Sequence, residues 1–244
     1  MKKHIPNTIT SLNLFCGCIS IQQMTQGDLV SAAVFILLAA FLDFFDGMAA
    51  RMLNVSGDMG KQLDSLADVI SFGVAPSFIA YFLLDNSTDI PYVPYLAFLI
   101  AIFSAIRLAK FNIDERQSDS FIGFPTPAHA LFWVGIALSY WQSWNTEHGS
   151  WAVELLLGFS SQWTILFAAI VGFCSAMVSE MPLLSLKFKH FGFKGNEYRY
   201  ILLIASFIFI ALFLFASVPF ILLLYLLLST IESSRNSKQD EIHS

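Results

Sequence analysis

Long apolar runs separated by short polar stretches dominate this chain. They cover residues 6–24, 29–52, 60–84, 92–112, 125–142, 162–181, 200–216 and 218–232. A helix of about 20 such residues crosses the hydrocarbon of a bilayer, so the pattern predicts an all-α, polytopic membrane bundle of about eight transmembrane helices. Residues Tyr200 to Thr230 carry no charge at all, and Ser217-Val218-Pro219 lies near the middle of that stretch. Proline breaks the helical hydrogen-bond ladder, which predicts a tight hairpin of two helices there. One long kinked helix is the alternative and would give seven spans. Residues 1–232 form a single integral-membrane domain in this reading, and the polar residues 233–244 a disordered tail.

Composition agrees. The chain has 244 residues, 56% hydrophobic and 13% charged, with 25 phenylalanines. Soluble chains carry roughly 25% charged residues, so lipid is the expected solvent. A net charge of −5 argues against a nucleic-acid partner. Cys16, Cys18 and Cys174 lie in apolar stretches and read as packing residues. The N-terminal segment superficially resembles a signal peptide. Ser11 and Asn13 interrupt its apolar part and no small-residue cleavage site stands out, so it reads as a retained first helix.

Charge distribution sets the orientation. With eight spans, all 13 Lys and Arg residues fall on one side. Asp28, Asp85, Asp89, Glu147 and Glu154 fall on the other. The positive-inside rule then makes both termini cytoplasmic, together with the loop carrying Arg51 and Lys61. Trp133, Trp141, Trp144 and Trp151 cluster toward an outer loop and read as an interfacial belt.

Four aspartates depart from this apolar background. Asp43 and Asp46 close the second run; Asp64 and Asp68 open the third. Residues three or four apart share a helix face, and a short connection makes the two helices antiparallel neighbours. The four carboxylates can therefore meet at the cytoplasmic boundary, where they repel one another and need a cation. Oxygen-only ligands select Mg²⁺, Mn²⁺ or Ca²⁺, and four carboxylates balance two divalent ions, a common device for phosphoryl chemistry. Gly47, Ala50 and Gly60 leave room for a ligand, and Arg51 offers a planar donor fork to phosphate. Helix capping and an ion or proton pathway are the competing readings at this point.

The spacing D-x2-D-G-x2-A-R-x8-G-x3-D-x3-D is carried by Asp43, Asp46, Gly47, Ala50, Arg51, Gly60, Asp64 and Asp68. Eight fixed positions coincide by chance on the order of once in 10⁹ starts at ordinary residue usage. The pattern resembles, without departure, the signature of the CDP-alcohol phosphotransferases, membrane homodimers with a six-helix core that displace CMP from a CDP-linked donor. The resemblance implies that Asp43 and Asp64 bridge two divalent cations (Mg²⁺ or Mn²⁺), that Asp46 binds one, and that Asp68 binds the other and is the catalytic base. It further implies a CDP-diacylglycerol pocket formed by Pro6, Asn7, Gly47, Ala50, Arg51 and Gly60, with Gly57 or Ser56 from the connecting loop.

Three further stretches, residues 5–17, 71–77 and 106–130, resemble the phosphatidylserine synthase branch. That implies transfer of a phosphatidyl group from CDP-diacylglycerol to L-serine, in a bacterial cytoplasmic membrane with the site facing the cytoplasm. A phosphorylated acceptor needs an additional basic pocket. The boundary cations between the third and fifth runs are Arg107 and Lys110, enough for one carboxylate, with Asn112 available for the amine. Both cations also suit lipid headgroups by snorkelling. His129 either faces the site or is a core histidine. Other acceptors, choline or glycerol 3-phosphate, define sister enzymes. A cation transporter is the distant alternative, disfavoured because transporters bind near the bilayer midplane.

Overall fold

The computed structural model describes residues 4–55, 57–114, 123–146, 150–181, 183–185, 192–193 and 196–243. Ser56 lies outside the described residues, as do Lys2, Lys3, Arg116, Glu147, Lys187, Lys189 and Lys194. The elements are α1 (His4–Thr25), α2 (Leu29–Met52), α3 (Asp58–Asp68), α4 (Ala75–Asp85), α5 (Leu99–Ile113), α6 (Thr126–Asn145), α7 (Ser150–Ser160), α8 (Trp163–Val178), α9 (Glu197–Phe213) and α10 (Ser217–His243). Among the described residues there is no strand. The protein is an all-α bundle that spans a membrane.

Four helical stretches are long and apolar enough to cross a bilayer: Leu29–Met52, Asp58–Asp85, Val93–Ile113 and Glu197–Arg235. The bent pair α7–α8 makes a fifth if counted as one span. The expected eight are therefore not all recovered by length and apolarity. α1 and α6 have the length, at 22 and 20 residues, but polar residues dilute them. The stretch Glu197–Arg235 is itself a hairpin. Phe209 lies 6.5 Å from Phe220, and Leu202 packs in one cluster with Leu228, so α9 and α10 run antiparallel. Leu214, at φ 50°, makes the turn ahead of Pro219. α10 continues to His243, through residues assigned from sequence to an unordered tail; that stretch holds neither Gly nor Pro to stop it.

α7 is an element the apolar pattern did not single out. It has 11 residues and meets α8 at 89°. Trp144 and Trp151 are exposed as expected of a belt, whereas Trp133 is fully buried. Its indole N–H donates to His129 Nε2 at 2.9 Å, so Trp133 belongs to the core rather than to the interface. His129 is fully buried too, packed against Phe173: it is a core histidine.

The core sits among α1, α2, α4, α6 and α8. Ala32, Ala33 and Ala39 of α2 are fully buried, and small side chains let helix backbones approach closely. The Ser20 hydroxyl reaches across to the Ala32 carbonyl at 2.9 Å. Directly after Asp68, residues Val69–Val74 form a π-helical segment, a feature concentrated at functional sites. Small residues clamp it. A Cβ on Gly17 of α1 would stand 2.5 Å from Ser71 Oγ, and one on Gly73 would stand 3.0 Å from Ser104 Cβ of α5.

Candidate functional site

The connection between α2 and α3 is short and tightly turned. The Val55 N–H donates to the Ala50 carbonyl at 3.0 Å, and Asn54 adopts φ 50°, a left-handed conformation that Asn tolerates better than most residues. This turn brings the acidic ends of α2 and α3 together. Carboxylate oxygens of Asp43, Asp64 and Asp68 lie within 4.8 Å of one another. Asp46 is outside that triplet. Its Oδ2 instead accepts a 2.6 Å hydrogen bond from the Thr10 hydroxyl of α1.

A cavity of 620 Å³ opens beside the acids. Of the residues expected to contact a nucleotide, Pro6, Asn7, Gly47, Ala50, Gly57 and Gly60 line it, together with Asp46 and Asp64. Asp43 and Asp68 are not on its wall. The four acids thus divide into a pair facing the cavity and a pair set behind it. Arg51 is exposed and not part of the lining, although its Nη1 would stand 3.5 Å from a Cβ on Gly47. Asn7 Oδ1 would stand 3.3 Å from a Cβ on Gly60, so α1 closes the cavity over the glycine.

Sequence reasoning did not single out Thr10, Val55, Asp58, Met59 or Lys61 as lining residues. Thr10 had a legible signal: it follows Pro6 by four positions and so shares its helix face. Asp58, in the first turn of α3, also sits where a helix N-terminus favours an acid.

Arg107 of α5, which is not on the cavity wall, is 8% exposed. It is close enough to Asp68 to interact with it electrostatically, and its Nη1 donates to Thr126 Oγ1 at 2.8 Å. Lys110 and Asn112 are turned elsewhere. Lys110 Nζ is exposed and 3.5 Å from the Val178 carbonyl. The Asn112 side-chain amide donates to Ser65 Oγ at 2.8 Å, and the Asn112 backbone carbonyl accepts from Lys61 Nζ at 2.8 Å. Arg107 alone of these three is brought to the acids.

The donor set fits a hard divalent cation. Three carboxylates converge with no histidine or cysteine among them, and the buried Oδ1 of Asp68 has no hydrogen-bond partner among the described residues. Buried carboxylates grouped this closely need a compensating positive charge, and a single arginine does not balance them.

Comparison with known proteins supplies the family. The CDP-alcohol phosphatidyltransferase family profile matches residues 3–174, a stretch that contains every acid and the whole cavity. The chain is 42% identical over 141 residues to a CDP-diacylglycerol–serine O-phosphatidyltransferase of Bacillus subtilis, covering 56% of this chain and 77% of that protein. It is 44% identical over 131 residues to a protein of the same name from Helicobacter pylori, covering 53% and 55%. It is 36% identical over 131 residues to the archaetidylserine synthase of Methanothermobacter thermautotrophicus, covering 52% and 54%. The matched stretch thus spans between about half and three quarters of these relatives. Profile, relatives and the arrangement of the aspartates agree: this chain belongs to the CDP-alcohol phosphatidyltransferase family.

Proposed function

We propose that the protein transfers a phosphatidyl group from CDP-diacylglycerol to L-serine, forming phosphatidylserine and CMP. The observation that carries this reading is the carboxylate triplet of Asp43, Asp64 and Asp68 beside a 620 Å³ cavity, with the buried Arg107 near Asp68. The serine acceptor is also supported by the names of the Bacillus and Helicobacter relatives.

In this mechanism the cytidine diphosphate sits in the cavity, with Asn7, Gly47 and Gly60 allowing close approach and Arg51 at its rim. Asp43, Asp46, Asp64 and Asp68 would hold two Mg²⁺ or Mn²⁺ ions. When bound, such ions neutralise pyrophosphate oxygens and acidify a nearby hydroxyl. The chain's own residues do the rest. Arg107 binds the serine carboxylate and aims the hydroxyl at the lipid-bearing phosphorus. Asp68 takes the hydroxyl proton. The serine Oγ–P bond forms as the P–O bond to CMP breaks, and CMP leaves with that electron pair. Most of the rate gain is positioning and electrostatics.

The positive-inside pattern supports a cytoplasmic site and cytoplasmic termini in a bacterial inner membrane. Homodimer formation belongs to the same reading. The test is to incubate purified protein with CDP-diacylglycerol and a panel of serine, choline, glycerol 3-phosphate and inositol, following CMP release. Release with serine alone is expected. Equal or greater release with another alcohol would reassign the acceptor.

A further inference from the structure

We infer that Thr10 is a positioning residue for Asp46, fixing that carboxylate on the cavity wall and apart from the other three acids. The inference rests on the metal-site reading above. Thr10 and Asp46 lie 36 positions apart and on different helices, yet Thr10 Oγ1 stands 2.6 Å from Asp46 Oδ2. That length is typical of a hydroxyl donating to a charged oxygen. Both residues are buried, at 4% and 6% exposure, and both lie on the cavity wall.

Threonine suits the task. The hydroxyl is also 3.0 Å from the Pro6 carbonyl one turn back, an arrangement that threonine favours in helices. Its single proton can serve only one acceptor, and the nearer, anionic one takes it. The proton therefore holds Asp46, and the Pro6 carbonyl lies beside the hydroxyl as the alternative acceptor.

The consequence is the division of the acids. Asp43, Asp64 and Asp68 converge, whereas Asp46 is drawn toward α1 and lines the cavity alongside Asp64. Asp46 and Asp64 would then hold an ion from the cavity wall. Without the Thr10 proton, the Asp46 carboxylate keeps its backbone contact with Gly47 but loses the bond that draws it toward α1. Partners that orient a metal-binding carboxylate are typically worth about 10–100-fold in metal affinity.

The test is Mn²⁺ binding to detergent-solubilised protein without substrate, read by the electron paramagnetic resonance of free Mn²⁺. Thr10→Val keeps the shape and removes the proton. It is expected to weaken one class of Mn²⁺ site by about 10–100-fold, while the thermal transition stays near the parent's. Thr10→Ser restores the proton and is expected to bind Mn²⁺ like the parent. Parent-like binding by Thr10→Val overturns the inference. Failure of both Thr10→Val and Thr10→Ala to fold, with Thr10→Ser folding, also overturns it, because the hydroxyl would then serve the fold. If the parent itself binds no Mn²⁺, the metal-site reading falls and takes this inference with it; binding by the parent with no loss in Thr10→Val removes this inference alone.

Discussion

The guanidinium Nη1 of Arg107 donates to the Thr126 hydroxyl at 2.8 Å, tying α5 to the first turn of α6. This bond does more than fill a gap. Arg107 is buried, and its Nε has no hydrogen-bond partner among the described residues. A guanidinium carries five donors in a fixed fork, so fixing one end against Thr126 sets the direction of the others. An arginine that only snorkelled to headgroups would be exposed at its tip. Lys110, one turn further along α5, is the one that fits that description.

Replacing Arg107 is therefore expected to act on the acceptor. Losing a hydrogen bond to a charged group costs about 1.5–3 kcal/mol, so Arg107→Ala should raise the serine KM by roughly ten- to a hundredfold, with a much smaller change in the KM for CDP-diacylglycerol. Arg107→Lys keeps the charge but loses the fork, and should fall between. Steady-state CMP release with each substrate varied checks this. Equal changes in both KM values would remove Arg107 from the acceptor pocket.

Removal of divalent cations should abolish turnover. Asp43, Asp64 and Asp68 offer only oxygen ligands, so Mg²⁺ or Mn²⁺ should restore an EDTA-treated enzyme. CMP release before treatment, after it and after add-back is the measurement. Full activity in the treated protein would sink the two-ion scheme.

The sequence made the acidic cluster legible because its geometry is local. Asp43 and Asp46, or Asp64 and Asp68, share a face by helical period alone, and one tight turn joins the pairs. What it left hidden depends on contacts between distant segments. Thr10 meets Asp46 across 36 positions and Arg107 meets Thr126 across 19, and no periodicity encodes such pairs. The π-helical segment Val69–Val74 was invisible for a similar reason: its residues read as ordinary apolar helix, and the close approaches at Gly17 and Gly73 appear only once α1 and α5 are packed on it. Trp133 was grouped with its neighbours as an interfacial residue, since nothing in the sequence pairs its N–H with His129. α7 escaped because an 11-residue helix lying at 89° to the next one has neither the length nor the isolation of a span.

Asp68→Asn separates chemistry from binding. Asp68 is buried behind the cavity rather than on its wall, so the substitution should leave CDP-diacylglycerol affinity close to the parent's. Loss of a general base typically costs 10²–10⁴-fold in rate, to order of magnitude, and a kcat reduction of that size is expected. Donor binding and CMP release are to be measured on one preparation. Turnover close to the parent's would show that Asp68 does not take the proton.

Gly17→Ala should damage the site without touching it. A Cβ at position 17 would stand 2.5 Å from Ser71 Oγ and 2.9 Å from Ser71 Cα. The side-chain oxygen could rotate away, but the backbone atom cannot, so α1 and the π-helical segment must separate. The Ser71 hydroxyl, which donates to the Asn13 carbonyl at 3.1 Å, loses its bond as they do. Overpacking of this kind costs typically about 1–3 kcal/mol, and a lowered thermal midpoint in detergent is the first expected result. The second is catalytic. The π-helical segment begins immediately after Asp68, so displacing it moves the end of α3 that presents Asp68 to Asp43 and Asp64. A fall in kcat larger than any rise in either KM should accompany the lost stability. Gly73→Ala, which meets Ser104 at 3.0 Å on the opposite side of the same segment, should push it toward α1 and give the same combination. If Gly17→Ala lowers the thermal midpoint yet turns over at the parent's rate below it, the π-helical segment does not control the placement of Asp68.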